Sequence, residues 1–175
     1  MVEPKVGVVV GSDSDLPVMQ DAIKVLKQLG VTCEISIASA HRSPGQVTCY
    51  AETAITRGIE VIIAGAGGAA HLAGVLAAIT SLPVIGVPVQ TTALGGLDSL
   101  LSMVQMPRGV PVATMSINGA QNAGIFAVQI LGIKYPTIRA NLEQFRREQT
   151  KKVEEKAAKL TELGLANYLA VYQKS

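Results

Sequence analysis

The chain has two histidines, His41 and His71, and each lies in a glycine- or serine-rich segment that follows an apolar run of strand length. Imidazole is the side chain whose ordinary titration falls near neutrality, so a histidine in such a place is a candidate proton donor and acceptor. Arg42 adjoins the first histidine in SAHRSP, residues 39 to 44. A guanidinium beside helix N-termini at Ser14 and Ser43 suits a phosphate, because free backbone N–H groups and the helix dipole favour an anion. GSDSD, residues 11 to 15, adds Ser12, Ser14 and Asp15 after the first apolar run. A carboxylate accepts two hydrogen bonds at once, which matches the vicinal hydroxyls of a ribose. Asp15 also fits an ordinary N-cap, and the two roles are compatible. Asp13 is expected as solvated surface, and Lys24, Lys27 and Arg57 as charges on outer helix faces.

Neither phosphate motif of the common nucleotide folds follows that first run: G-x-G-x-x-G is absent, as is a lysine-bearing glycine loop. The densest glycine stretch among the site segments is GAGGAAHL, residues 65 to 72, with Gly65, Gly67 and Gly68. With almost no side chains, this stretch suits a tight, dry cavity for something small.

The elements that must position these residues follow from the pattern of apolar runs. Runs at residues 6–10, 32–38, 61–64, 84–87 and 112–115 alternate with longer helical patterns, which predicts five parallel strands with right-handed crossovers, an α/β fold. In such a sheet, ligands bind outside the carboxyl ends of the strands. The segments there are GSDSD, SAHRSP, GAGGAAHL, PVQTTALGG (88 to 96) and SINGAQN (116 to 122). The first helix is expected to begin at Ser14 or Asp15 with Pro17 in its first turn and to end at Leu29 before Gly30. Ser43, Pro44 and Gln46 read as a capping box opening a helix that closes at Arg57 and Gly58. Asn118 and Gln121 repeat the box before a helix to Leu131 and Gly132.

From Ile138 the pattern becomes a charged helix with an apolar stripe of Ile138, Leu142, Phe145, Val153, Leu160 and Leu163. Glu143 with Arg147, Glu148 with Lys152 and Glu155 with Lys159 have i,i+4 spacing. The chain therefore divides at 1–136 and 137–175, a body and a helical extension. The extension should end its helix at Gly164, and Leu165, Tyr168, Leu169 and Tyr172 beyond it are expected to pack on a neighbouring subunit in preference to their own domain.

Composition limits the function classes. At 175 residues the chain is large enough for one domain that buries roughly 70% of its unfolded surface. Residues 1–136 hold seven Lys or Arg against eight Asp or Glu, and residues 137–175 eight against five, so the net charge of +2 comes from the extension. A body without a basic, aromatic-laced stripe argues against nucleic acid. Cys33 and Cys49 match no metal or redox spacing and are expected as buried thiols in a reducing cytoplasm. The N-terminal MVEPKVGVVV reads as neither signal peptide nor membrane span. A receiver-type or other non-catalytic nucleotide module is a competing reading, but a receiver wants an aspartate at the end of the third strand, where Gly65, Ala66 and Gly67 stand.

GSDSD, SAHRSP, AGAGGAAHL, GVPVQ and DSLLSMVQMPRGVPVAT, in that order over the first 130 or so residues, closely resemble the class I PurE family. The resemblance implies a three-layer flavodoxin-like domain and a homo-octamer with sites at subunit contacts. It implies a cytoplasmic enzyme of purine biosynthesis that needs no metal or organic cofactor. The activity it implies is an N5-carboxyaminoimidazole ribonucleotide mutase; the alternative within the family is direct carboxylation of aminoimidazole ribonucleotide by carbon dioxide. It further implies His41 as the catalytic residue and Ser12, Asp15 and Arg42 as substrate-binding residues, with Ser14, Ser39, Ala40 and His71 lining the site. Ser43 stands where the family commonly has threonine and Ala73 where proline is usual. Arg108, in QMPRG before the fifth strand, is expected at the opposite edge of the sheet from these loops, either serving the site of a neighbouring subunit or standing as a surface arginine in a proline-glycine turn.

Overall fold

The computed structural model describes residues 5–172. The first four residues of the N-terminal decapeptide, the side chain of Tyr172 and residues 173–175 lie outside the described residues. Five parallel strands are joined by helices on both faces. They are β1 (Val6–Val10), β2 (Cys33–Ile37), β3 (Val61–Gly67), β4 (Val84–Val89) and β5 (Ala113–Thr114), in sheet order β2-β1-β3-β4-β5. The α/β expectation is met, and β3 and β4 extend two to three residues beyond their expected ends.

The alternation of side chains sorts the strands' apolar runs into two cores. Val6, Val8, Val10, Val61, Ile63, Ile85 and Val87 face α1 (Leu16–Gln28) and α5 (Ala120–Lys134). Val9, Ile62, Ala64, Ala66 and Val84 face the other way, toward α2 (Pro44–Thr53), α3 (Leu72–Ile79) and Met103 of α4 (Leu97–Val104). Runs without a polar break are what a strand buried on both faces requires.

Close helix approach depends on one glycine. A Cβ at Gly124 of α5 would stand 2.4 Å from Val25 Cγ1 and 3.0 Å from the Ala22 carbonyl oxygen of α1. Gly65 of β3 likewise lies under Met19, whose Sδ would be 2.5 Å from an added Cβ.

Several local expectations are corrected. Asp15 sits at the N-cap position of α1, but its side chain makes no cap bond to that helix; instead Ser12 caps a short 3-10 turn at Asp13–Asp15. Ser43 precedes α2, yet its hydroxyl accepts from the Ser39 N–H at 2.9 Å instead of capping. α2 stops at Thr53, and a 3-10 turn at Ile55–Arg57 leads to Gly58 at φ 80°. Asn118 does not cap α5, since the helix begins after Gly119; the Asn118 side chain turns back to Gln90. Cys33 is half-buried and Cys49 exposed, because β2 is an edge strand and Cys49 lies on the outer side of the helix beside it.

The final helix, α6, spans Pro136–Tyr172 with a break at Gly164, where φ is 69° and ψ 161°. Only its first turns join the core, through Ile138, Leu142 and Phe145. Val153, Leu160, Leu165 and Leu169 are exposed. Among the described residues the ion pair on this helix is Lys151–Glu155 at 3.8 Å, while Arg147 bonds Gln144 instead of Glu143. Among the described residues no helix is long and apolar enough to cross a membrane.

Candidate active site

The sheet order reverses between β1 and β3, and there a cavity of about 420 Å³ opens at the carboxyl ends of the strands. It draws Gly11, Ser12, Ser14 and Asp15 from the segment after β1, and Ser39, Ala40, His41 and Arg42 from that after β2. Ala66 to Ala69, His71 and Leu72 follow β3, and Val89, Gln90 and Thr91 follow β4. All eight residues singled out from the sequence line this one cavity. The fifth segment, SINGAQN, does not; Asn118 reaches it only through Gln90, accepting from the Gln90 N–H at 2.9 Å and donating to Gln90 Oε1 at 3.2 Å.

The two histidines meet. His41 Nε2 and His71 Nδ1 are 2.8 Å apart, with ring planes at 79°. One ring must donate and the other accept, so the pair holds a shared proton at the cavity mouth. His71 is fixed at the start of α3, where its N–H donates to the Ala69 carbonyl.

Asp15 lines the same cavity. It is buried, and burial raises its carboxyl above the ordinary range, although the Ser12 N–H donates to Oδ2 at 3.1 Å and offsets part of that cost. The neighbouring Asp13 is exposed, as expected, but not idle: its Oδ1 accepts from the Ser12 hydroxyl and from the Ser14 N–H, both at 3.0 Å. The Ser14 amide proposed for an anion is thus already engaged, and a ligand must displace Asp13 to use it. Arg42 is exposed and held by Ser39, whose hydroxyl accepts from its backbone N–H at 3.2 Å and from Nε at 3.4 Å. Its terminal nitrogens remain directed by that anchor and available to an anion.

Residues beyond the sequence reading shape the floor. Ser99, fully buried on α4, accepts from the Gly68 N–H at 2.8 Å and donates to the Val89 carbonyl at 2.7 Å. No local signal marks it, because its partners lie 31 and 10 residues away. Arg108 is exposed in the turn before β5 and does not line the cavity. Its neighbours Met106 and Pro107 lie along α3 in an apolar groove that starts at His71.

The arrangement combines a proton-sharing imidazole pair, a buried carboxylate, an anchored guanidinium and a wall of glycine and alanine. It suits a phosphorylated sugar bearing a group that must gain and lose a proton. Comparison with known proteins agrees. The family model for AIR carboxylase matches residues 5–152. The chain belongs to the AIR carboxylase family. A Pyrococcus abyssi protein named N5-carboxyaminoimidazole ribonucleotide mutase is 61% identical, over 95% of this chain and 95% of its own. A Candida glabrata protein named phosphoribosylaminoimidazole carboxylase is 56% identical over 95% of this chain, which matches 29% of that longer protein. The crystal structure of Treponema denticola PurE superposes with a TM-score of 0.82 over 90% of this chain and 98% of its own, at 24% identity, a likeness of fold.

Proposed function

We propose that this member of the AIR carboxylase family is an N5-carboxyaminoimidazole ribonucleotide mutase of de novo purine biosynthesis. The observation that carries the reading is the 2.8 Å His41–His71 pair at the mouth of a cavity walled by Ala66 to Ala69. The reaction needs one group that gives a proton and takes one back. The bond from the exocyclic nitrogen to the carboxylate carbon breaks, its electron pair stays on nitrogen, and His41 protonates that nitrogen. Carbon dioxide is held against the glycine and alanine wall, where confinement keeps it next to the ring and away from water. The electron-rich C4 attacks it, a carbon–carbon bond forms, and the C4 proton returns to His41. Proton count and oxidation state are unchanged, so the step calls on no redox partner. His71 orients the His41 ring, Arg42 with Ser39 and Ser14 takes the phosphate, Asp15 and Ser12 take the ribose hydroxyls, and Ala40 lets the ring approach.

The same reading assigns residues 1–136 to the catalytic body and 137–175 to an arm that packs on neighbouring subunits of a cytoplasmic homo-octamer. Exposure of Leu165 and Leu169 supports the arm's role.

The test is an assay of ring carboxylation run in parallel on the N-carboxylated ribotide and on aminoimidazole ribotide with bicarbonate. Rapid product from the first and poor use of the second is expected. Efficient use of the second alone makes the protein a direct carboxylase, the second reading, which the name of the Candida glabrata relative favours.

A further inference from the structure

We infer that Ser99 is a positioning residue that holds the glycine wall shut on carbon dioxide, and so sets how much of it is transferred and how much escapes. The inference rests on the mutase reading and adds a residue to it. β3 and β4 pair in parallel up to Gly67 opposite Val89, and the regular ladder ends there. The next rung is supplied by a side chain: the Gly68 N–H donates to Ser99 Oγ at 2.8 Å, and the same hydroxyl donates to the Val89 carbonyl at 2.7 Å. A hydroxyl can donate and accept at one atom, and serine is the smallest residue that carries one. Ser99 has no solvent exposure, so water does not replace either bond.

A neighbour on α4 extends the clamp. The Thr91 hydroxyl donates to the Asp98 carboxylate, 2.9 and 3.0 Å from its two oxygens, while the Ser102 hydroxyl donates to the Asp98 carbonyl of its own helix at 2.8 Å and lies 3.3 Å from the Gly68 carbonyl oxygen. The first turns of α4 therefore grip both segments, 67–68 and 89–91, that form the inner wall of the cavity. Gly68 itself has φ +68° and no side chain to wedge it in place, so these bonds fix its conformation.

Without the rung the wall opens at the sheet edge. The carbon–nitrogen bond still breaks and the nitrogen is still protonated, but carbon dioxide leaves before C4 attacks, and the products are aminoimidazole ribotide and free carbon dioxide. Loosening thus changes the partition of an intermediate, which a purely structural role would not.

Turnover of the N-carboxylated ribotide in ¹³C-labelled bicarbonate with carbonic anhydrase reads this partition. Wild type is expected to give unlabelled product with little free aminoimidazole ribotide. Ser99→Ala is expected to lower transfer about tenfold, the value of a hydrogen bond or two. The fraction released as aminoimidazole ribotide should rise several-fold, and label should enter the product. Asp98→Ala, which frees Thr91 and leaves the buried rung intact, should release a smaller excess; it carries the test if Ser99→Ala does not fold. A folded Ser99→Ala with the wild-type partition, whatever its melting temperature, overturns the inference, as does wild-type partition in Asp98→Ala should Ser99→Ala not fold. Label in the wild-type product instead overturns the mutase reading, and with it the retention that Ser99 is assigned.

Discussion

His41 carries the proton of the proposed reaction, and its replacement separates chemistry from binding. In His41→Asn the amide keeps a hydrogen-bonding group near His71 but cannot cycle a proton, so turnover should fall by ~10² to 10⁴ while ribotide affinity stays within a few-fold. Near-normal turnover by steady-state kinetics would sink the assignment. Asp15 poses the opposite balance. Burial raises its carboxyl, so the ionised form is disfavoured in the free fold, and that part of stability is lost as pH rises through the folded value. Ribose hydroxyls want the ionised form. Affinity for the product ribotide should therefore drop as pH falls through a midpoint above the ordinary carboxylate range. Asp15→Asn should abolish that midpoint, weaken binding and leave the melting temperature equal or higher. An unchanged binding profile in calorimetry speaks against the contact to ribose.

At the scale of elements, legibility depended on how far apart the partners are. β1, β3 and β4 stand out in the sequence because both faces are buried and no polar residue interrupts Val8 to Val10, Val61 to Ala64 or Val84 to Val87. β5 shrinks to Ala113–Thr114 because Pro111 precedes it and it borders only β4. The expected caps at Ser43 and Asn118 do not form because each hydroxyl or amide has a better partner outside its own helix, at Ser39 and Gln90. The site itself was legible through its loops, since strand ends place them automatically; Ser99 was not, since only the folded chain brings α4 under Gly68. Gly124 belongs to this scale too. An interior helix glycine replaced by alanine ordinarily gains about 1 kcal/mol. Here the new methyl meets Val25 and the backbone of Ala22, so Gly124→Ala should instead cost ~1 to 3 kcal/mol as α1 and α5 are forced apart. A thermal melt gives the sign directly: a higher melting temperature contradicts the packing described.

At the scale of the whole molecule, one outer helix presents a row of exposed apolar side chains. Leu97, Leu101 and Val104 recur at i, i+4 and i+7 on α4 with 50%, 47% and 50% exposure, and Leu94 beside them is 62% exposed. The inner side of the same helix carries Ser99, so the face that meets solvent in one chain is coupled to the wall of its cavity. Covering that face by another copy would hold α4 against the sheet and support the clamp from behind. Leu101→Glu puts a charge at the centre of the stripe, where burial without a partner is costly. It should shift the mass measured by light scattering from an assembly toward 18.2 kDa, the mass of one chain. Turnover per chain should fall together with mass as the protein is diluted, because a loosened α4 relaxes Gly68. A wild type that is monomeric at micromolar concentration and fully active removes the need for a covering copy, and leaves α4 to hold the wall by its hydrogen bonds alone.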